Sequence, residues 1–382
     1  SNVKLQVKGS DHGFFRYLGK SAVVNDLKIS GKITSEGSCK NIGGIAGVNY
    51  GTIGNCSFEG TVNGKTAVGA IAGINKPTGK IVNCRSNATV TATNQTGGIV
   101  GNNEGLVSEC TSECSINTDE LKTTMDIGGV DIGTLNLTGR VIDRNDMGGI
   151  VGVSTGIVSE CINQGKIGFA HTGYNVGGIA GRQSGKVIDC HNEGEIYGRK
   201  DVGGIVGRAT IDTEISQSYN TGSITAMGSA SGIIARMGGT NAIVRDCYNT
   251  GAIKSTGTAT NGNSNAAGIV ATCTIAAGGG MTIENCHNVG DMTTANGASF
   301  GNGLFHRTDG KISQITMKSC FSLNEDGKSQ SSGSDSYISG GSSSYKNLSA
   351  SEMKNTSSFT NWNFSTVWEM GSEYPTLQGL LK

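Results

Sequence analysis

Residues 177–196 read GGIAGRQSGKVIDCHNEGEI, and this stretch decides the fold. It joins two short phrases. The first is Gly-Gly-Ile-Ala-Gly, and the second is Gly-x-Val-x-x-Cys-x-Asn-x-Gly-x-Ile, where x is variable. The first phrase recurs, intact or degenerate, from these starting residues: Gly43, Gly69, Gly97, Gly148, Gly177, Gly203, Ser231, Ala267 and Asn302. The regular copies start about 27 residues apart, a spacing typical of one structural repeat.

The second phrase repeats position by position. Its cysteine slot is occupied in ten units by Leu27, Cys56, Cys84, Cys110, Cys161, Cys190, Ser218, Cys247, Cys286 and Cys320. Three residues before the slot, the units have Val, Ile or Met, and six residues after it nearly all have one of the same three. Glycine occupies most positions four residues after the slot. This agreement indicates units that stack in register.

Short β-branched segments between glycines, without helical periodicity, predict strands and tight turns. We therefore predict an all-β single-stranded parallel β-helix (a β-solenoid) of about ten coils, which we expect to be right-handed. Adjacent coils lie about 4.8 Å apart. The cysteine slot and the slot six residues later share one parity and point inward, whereas the slot three residues earlier has the other parity. This mismatch predicts a bend before the cysteine, and we expect the glycines at corners, with positive φ or close backbone approach.

The amino-acid composition argues against several classes of protein. Glycine makes up 62 of 382 residues and proline only two, without the three-residue period of collagen. The 30 basic residues balance the 30 acidic ones, so the chain lacks the excess of positive charge that is typical of proteins that bind nucleic acid. No apolar run approaches the roughly 18 residues that span a bilayer, which predicts no membrane insertion in this fragment.

At these phrases the sequence resembles the GLUG-motif repeats of bacterial surface proteins. The copies cover residues 13–325, and the tail from Trp362 to Leu377 resembles the segment that closes such arrays. The resemblance implies an extracellular or cell-surface bacterial scaffold of adhesin-like type, found in some proteins beside a protease domain. It carries over no catalytic residue and no cofactor. The last three copies replace the outer glycines, and residues 117–147 interrupt the period.

The repeat divides the chain into regions. They are a truncated N-terminal strand (1–12), the solenoid (13–326) with an insertion (117–147), a Ser/Gly-rich linker (327–345) and a C-terminal cap (346–382). Both tryptophans lie in the cap, where Ser349 or Ser351 is placed to begin a short helix. A solenoid has unpaired strand edges at its ends, so we expect the cap to form a lid over the C-terminal end.

Eleven cysteines in an extracellular chain would ordinarily suggest disulfides. Eight of them, however, occupy the inward slot, where stacked side chains are parallel and too far apart for ideal disulfide geometry. No Cys-x-x-Cys pair and no zinc-ligand spacing occurs. We predict buried thiols that act as small apolar groups, and no metal site.

The slot after the cysteine carries rings over five successive units: His191, Tyr219, Tyr248, His287 and Phe321. We predict that it points outward, so this aromatic ladder is a candidate platform for a glycan or peptide. The alternative is that stacked rings only stabilise neighbouring coils. The adjacent amide column, formed by Asn163, Asn192, Asn220, Asn249 and Asn288, is typical of a ladder that satisfies turn backbone groups.

The insertion supplies a second candidate site because long loops on rigid scaffolds carry function. Its carboxylates include Asp119, Asp126, Asp131, Asp143 and Asp146, which together suggest an ion or ligand loop. No EF-hand pattern is present, and the alternative is a solvated loop of mixed charge. The apolar residues between Ile127 and Val141 predict a hairpin.

Three functions remain open: a non-enzymatic adhesin-like module, an accessory region of a larger secreted protease, and a polysaccharide-active β-helix enzyme. Such enzymes need carboxylate pairs or basic residues grouped in a groove. Charged residues make up 16% of the chain, and we identify no outward column of charge across neighbouring coils. We therefore predict a monomeric non-enzymatic scaffold that binds an extracellular glycan or protein.

Overall fold

A computed structural model describes residues 2–36, 38–119, 124–127, 130–134, 144–169, 172–257, 265–294, 301–308, 315–323 and 345–379. Its strands stack in parallel and form a β-solenoid of about nine turns, with almost no helix. The predicted fold class is confirmed. Most of the predicted Ser/Gly-rich linker, residues 327–344, lies outside the described residues.

The largest sheet holds the end of the first phrase and the start of the second, because the chain turns between them within one wall of the solenoid. Its strands are Phe15–Leu18, Val23–Asn25, Ala46–Asn49, Thr52–Gly54, Ala72–Asn75, Lys80–Val82, Val100–Asn103, Leu106–Ser108, Val151–Ser154, Ile157–Ser159, Ala180–Ile188, Val206–Ser216, Ile234–Arg245, Val270–Glu284, Phe305–Thr308 and Ile315–Lys318. The four strands between Ala180 and Glu284 are longer because these two stretches then lie in one continuous strand.

Two further walls complete each coil. One contains the strands Asn2–Val7, Lys28–Ser35, Ser57–Asn63, Arg85–Thr91, Thr111–Ser112, Ser115–Ile116, Ile162–Asn163, His191–Asn192, Tyr219–Asn220, Tyr248–Asn249, His287–Asn288, Cys320–Leu323 and Tyr345–Leu348, flanked by Ile196–Gly198, Ile224–Ala226, Ile253–Ser255 and Met292–Thr294. The other contains Lys40–Gly43, Thr66–Gly69, Asn94–Gly97, Asn145–Gly148, Tyr174–Gly177, Lys200–Gly203, Ser229–Ser231, Asn265–Ala267 and Gly301–Asn302.

Equivalent residues of the repeat face each other across neighbouring coils. Val158 aligns with Val187, which aligns with Ile215, and the column continues to Val244 and Ile283. These side chains are fully buried and belong to one apolar cluster that extends along the solenoid. The predicted inward columns are confirmed, and burial of this continuous core is the main term that stabilises the fold.

The bend predicted before the cysteine slot is present in every unit. The residue just before the slot has left-handed backbone, with φ of 51° at Asn83, 52° at Glu160 and 51° at Asp246. This conformation reverses the strand parity, so the aliphatic residue three positions earlier and the cysteine both point inward. Asn and Asp tolerate positive φ better than other non-glycine residues, which explains their frequency at this position.

The corner glycines are required by the close approach of neighbouring coils more than by positive φ. A Cβ on Gly222 would lie 2.1 Å from the carbonyl oxygen of Gly194, and a Cβ on Gly178 would lie 2.4 Å from Cγ of Asn192. Positive φ in this column occurs only at Gly31 and Gly60 among the described residues. The glycines four residues after the cysteine slot and the second glycines of the first phrase therefore mark places where a neighbouring coil or a buried amide leaves no room for a side chain.

The cysteine slot suits a short side chain whose thiol or hydroxyl donates a hydrogen bond to the carbonyl oxygen two residues earlier. The Cys161 thiol donates to the Ser159 carbonyl at 3.1 Å, and Ser218 makes the same bond to Ser216 at 2.8 Å. All eleven cysteines are buried thiols. Burial raises the pKa of the Cys161 and Cys286 thiols well above the ordinary value, which opposes thiolate chemistry.

The insertion forms an antiparallel hairpin, as predicted, from strands Thr124–Ile127 and Val130–Thr134. At the other end, strand Tyr345–Leu348 pairs with Cys320–Leu323 and so covers the edge of that strand. A capping box from Ser349 starts the predicted helix, Ala350–Met353, which is followed by a 3-10 turn, Thr356–Ser358. The strands Trp368–Met370 and Pro375–Leu377 then pair antiparallel.

The cap covers the C-terminal end only in part, which differs from the end lid that the sequence predicts. Only its first strand pairs at the edge, whereas the remainder folds back along the side of the solenoid. Trp368 donates to the Asp246 carboxylate at 3.3 Å, and the far part of the cap lies against Glu160 and Asp189. The cap packs sideways because the apolar surface that its tryptophans bury is the aromatic ladder, which runs along the solenoid.

Candidate functional site

The aromatic ladder stacks as predicted. The ring centroids of His191 and Tyr219 are 4.6 Å apart, those of Tyr219 and Tyr248 are 4.7 Å apart, and those of Tyr248 and His287 are 5.0 Å apart. The interplanar angles do not exceed 10°. Phe321 continues the column, because it pairs in register with His287. The in-register strands therefore place like rings directly above one another.

The ladder is not an open platform, contrary to the expectation of an outward binding face. It points away from the solenoid core, but the cap covers it and forms a second apolar cluster with it. His191, Tyr248, His287 and Phe321 are buried, and Tyr219 is half-buried. Burial raises the pKa of Tyr219 to about 12. The geometry supports the structural alternative, in which the rings stabilise neighbouring coils and hold the cap.

The amide column beside the ladder also has the predicted structural role. Asn192 Nδ2 donates to the Gly194 carbonyl at 2.9 Å and to Asn220 Oδ1 at 2.7 Å, and Asn220 repeats the pattern to Asn249. The whole column from Asn163 to Asn288 is buried. Sequence analysis missed a second, shorter ladder, in which Asn49 donates to Asn75 and Asn75 donates to Asn103, both at 2.8 Å.

The acidic insertion is not assembled as an ion site in the described part of the chain. Asp119 receives two hydrogen bonds from Arg144, at 2.6 and 2.9 Å, and this guanidinium lowers the pKa of the carboxyl. Asp146 pairs with Arg182 instead. The side chains of Asp126, Asp131 and Asp143 lie outside the described residues. Among described residues, no three His, Cys, Asp or Glu side chains are placed to hold a metal ion.

A third surface was missed by the sequence analysis. Arg182 aligns with Arg208, and Arg208 aligns with Arg236, so three guanidinium groups form a column across three coils. All three side chains are partly exposed. The statement that no outward charged column exists is therefore wrong. The signal was present, because each arginine directly follows one copy of the first phrase.

The arginine column forms one side of an open groove of about 370 Å³, which we call the arginine groove. Its lining is polar and consists of Asn94, Asn145, Asp146, Tyr174, Asn175, Arg182, Lys200, Asp201, Arg208 and Arg236. The opposite side is built from residues with left-handed backbone: Asp146, Asn175 and Asp201 have φ of 55°, 54° and 57°. Their strands pair in register, so these three side chains also form a column.

Two of the three arginines have an acidic partner in the facing column. Arg182 Nη2 lies 3.1 Å from Asp146 Oδ2, and Arg236 Nη1 lies 3.8 Å from Asp201 Oδ2. Both carboxylates are buried, and this desolvation raises their pKa despite the nearby arginines. At the intermediate position the facing column has Asn175 instead of an acid, and its amide donates to Asp146 Oδ1 at 2.7 Å.

The first phrase and the second phrase both coincide with a known motif. Residues 38–63 and 198–225 match the family model of the GLUG motif, and the second segment includes Asp201, Arg208 and Asn220. The chain contains GLUG repeats. The second matched segment supplies one copy of the glycine phrase and the groove residues Lys200, Asp201 and Arg208.

Other comparisons add little to the GLUG assignment. No curated protein matches the chain. A crystal structure from Bacteroides ovatus, described as a "putative immunoglobulin A1 protease", aligns over 96% of this chain and 88% of its own, with 16% identity and a TM-score of 0.34. In the described part of the chain, no helix has the length and apolar character needed to cross a bilayer.

Proposed function

We propose that the chain is a non-enzymatic, adhesin-like repeat module of a secreted or surface-exposed bacterial protein. It acts as a rigid scaffold and presents a lateral surface to an extracellular glycan or protein. The same role serves a module that stands alone and one that flanks a catalytic domain, because both use a rigid spacing element.

The observation that carries this proposal is the continuity of the core. One buried cluster extends from Val7 near the start of the solenoid to Cys320 in its last described coil. The Asn163–Asn288 ladder adds hydrogen bonds between coils along the same axis. A structure whose coils share one core resists bending at any single junction, as expected of a spacer.

The groove chemistry favours binding over hydrolysis. A glycosidase needs one carboxyl group that stays protonated as an acid and a second that acts as base or nucleophile. In the arginine groove, Asp146 and Asp201 each face an arginine, and both carboxylates are buried. These contacts hold the acids as partners of the guanidiniums and not as attacking groups.

Small-angle scattering combined with parallel binding and turnover assays tests the proposal. We expect a rod-shaped particle, binding to members of a glycan and mucin panel, and no cleavage of polysaccharide substrates in a lyase and hydrolase screen. Labelling of intact producing cells with an antibody tests the location. Turnover of a polysaccharide, or scattering typical of a flexible chain, would contradict the proposed function.

A further inference from the structure

We propose that the arginine groove binds an acidic oligosaccharide, whose carboxylate or sulfate groups pair with the guanidinium column. This inference rests on the proposed scaffold function and names the ligand class of its lateral surface. Arg208 is the central anchor.

The charge in the groove is incompletely balanced. Three arginines and Lys200 face two carboxylates, and the missing partner is at the middle position, where Asn175 replaces the acid. Arg208 therefore has no direct ion pair among the described residues, although Asp146 and Asp201 lie close enough to interact with it electrostatically. Guanidinium groups bind carboxylate and sulfate-like anions through paired N–H donors.

The unpaired atoms of the groove include both hydrogen-bond donors and hydrogen-bond acceptors. Arg208 Nε is a buried donor without an acceptor, whereas Asn94 Oδ1, Asn145 Oδ1 and Asp201 Oδ1 are buried acceptors without a donor. Buried polar atoms are normally paired, so a bound molecule gains by satisfying them. An anion alone satisfies only the arginine. A sugar acid supplies anionic acceptors together with hydroxyl donors, and thus complements both sets.

The spacing favours a chain with repeated anionic groups. Arg182, Arg208 and Arg236 occupy successive coils in register, so they are spaced by about 4.8 Å along the solenoid. A linear acidic saccharide lying parallel to the solenoid axis meets a guanidinium at each coil. The net charge of the whole chain is zero, so this attraction is local to the groove.

Titration calorimetry on the full chain tests the inference with four defined probes. They are hexagalacturonate, which carries carboxylates; a heparin hexasaccharide, which carries sulfates; maltohexaose, which is neutral; and hexaglutamate, which is an acidic peptide. We expect at least one acidic saccharide to bind, with affinity that falls as salt rises, and maltohexaose not to bind. Stronger binding of hexaglutamate than of both acidic saccharides would overturn the assignment to sugars.

Arg208→Gln identifies the anchor, and Arg85→Gln, at an exposed residue outside the groove, is the matched control. Loss of a charge-assisted hydrogen bond costs enough to weaken binding about tenfold or more. We expect that loss in Arg208→Gln, a smaller loss in Arg208→Lys, and none in Arg85→Gln, with unchanged circular dichroism in all three. Equal affinities of the two glutamine variants, or no binding by either acidic saccharide, would overturn the inference while leaving the rod-shaped scaffold untouched.

Discussion

The Nε2 atom of His287 lies 2.8 Å from the carbonyl oxygen of Pro375, 88 residues further along the chain. A carbonyl oxygen only accepts, so Nε2 carries the proton in this bond. The imidazole is fully buried, stacks on Tyr248 and contacts both tryptophans of the cap. This ring is therefore one of the contacts between the solenoid and the cap, and protonating it would place a charge inside that contact.

Mild acid is expected to release the cap. Burial lowers the pKa of His287 from 6.5 to about 4, so the unfolded chain binds a proton between these pH values that the folded protein does not. The free energy of unfolding therefore falls as pH falls from about 6.5 to about 4, by about 3 kcal/mol. Because both tryptophans lie in the cap, a red shift of fluorescence near pH 4.5, before the solenoid loses its circular dichroism, is the expected signal.

His287→Phe is the matched control for this titration. Phe321 already occupies the equivalent slot of the next coil, so a phenyl ring is compatible with the ladder. The variant loses the bond to Pro375 and is less stable at neutral pH by about 1–3 kcal/mol. Its fluorescence transition should no longer follow the titration between pH 6.5 and 4. An unchanged acid transition in this variant would show that another group releases the cap.

Removal of Trp368 is expected to detach the cap without unfolding the solenoid. Its side chain is 0% exposed and packs 4.2 Å from Trp362, centroid to centroid. Trp368→Ala should cost about 3–5 kcal/mol of cap stability, measured by urea titration with Trp362 fluorescence and by limited proteolysis. Tyr17→Ala, at an aromatic side chain that is 55% exposed, is the control and should change stability little. Equal protease resistance of the two variants would contradict the docked cap.

Much of the solenoid could be predicted from the sequence because the same sequence pattern is repeated in every coil. The cysteine slot, the aliphatic slot three residues before it and the bend between them appear in ten units, so one misread copy does not change the result. The alternation of inward and outward positions was enough to predict the bend, and the left-handed backbone of residues such as Asn83 and Asp246 confirms it. The amide ladder from Asn163 to Asn288 followed in the same way.

The position of the cap against the ladder and the assembly of the groove could not be predicted from the sequence, because both depend on contacts between non-equivalent parts of the chain. Trp368 bonds to Asp246, 122 residues away, and no periodicity relates the two. The arginine column was readable in sequence, but its facing column comes from another strand of the preceding coils. The sequence pattern does not reveal that Asn175 stands where Asp146 and Asp201 provide an acid.

All eleven cysteines are expected to react only after denaturation. They are buried thiols, and burial raises the pKa of Cys161 and Cys286, which lowers the reactive thiolate fraction. A thiol reagent should modify close to none in the native protein and about eleven in denaturant without reductant. Mass mapping under non-reducing conditions is the second readout. Detection of three or more disulfides would contradict the stacked-thiol interpretation.

Asn220→Ala is expected to be among the most destabilising single changes in the solenoid. Its Nδ2 donates to Gly222 O at 2.8 Å and to Asn249 Oδ1 at 2.7 Å, while its Oδ1 accepts from Asn192. Truncation leaves three buried polar groups unpaired, each at about 1–3 kcal/mol. We expect a loss of about 3 kcal/mol or more in urea unfolding. Asn87→Ala, at an exposed amide, is the control, and equal losses in the two variants would contradict the buried ladder as a stabilising element.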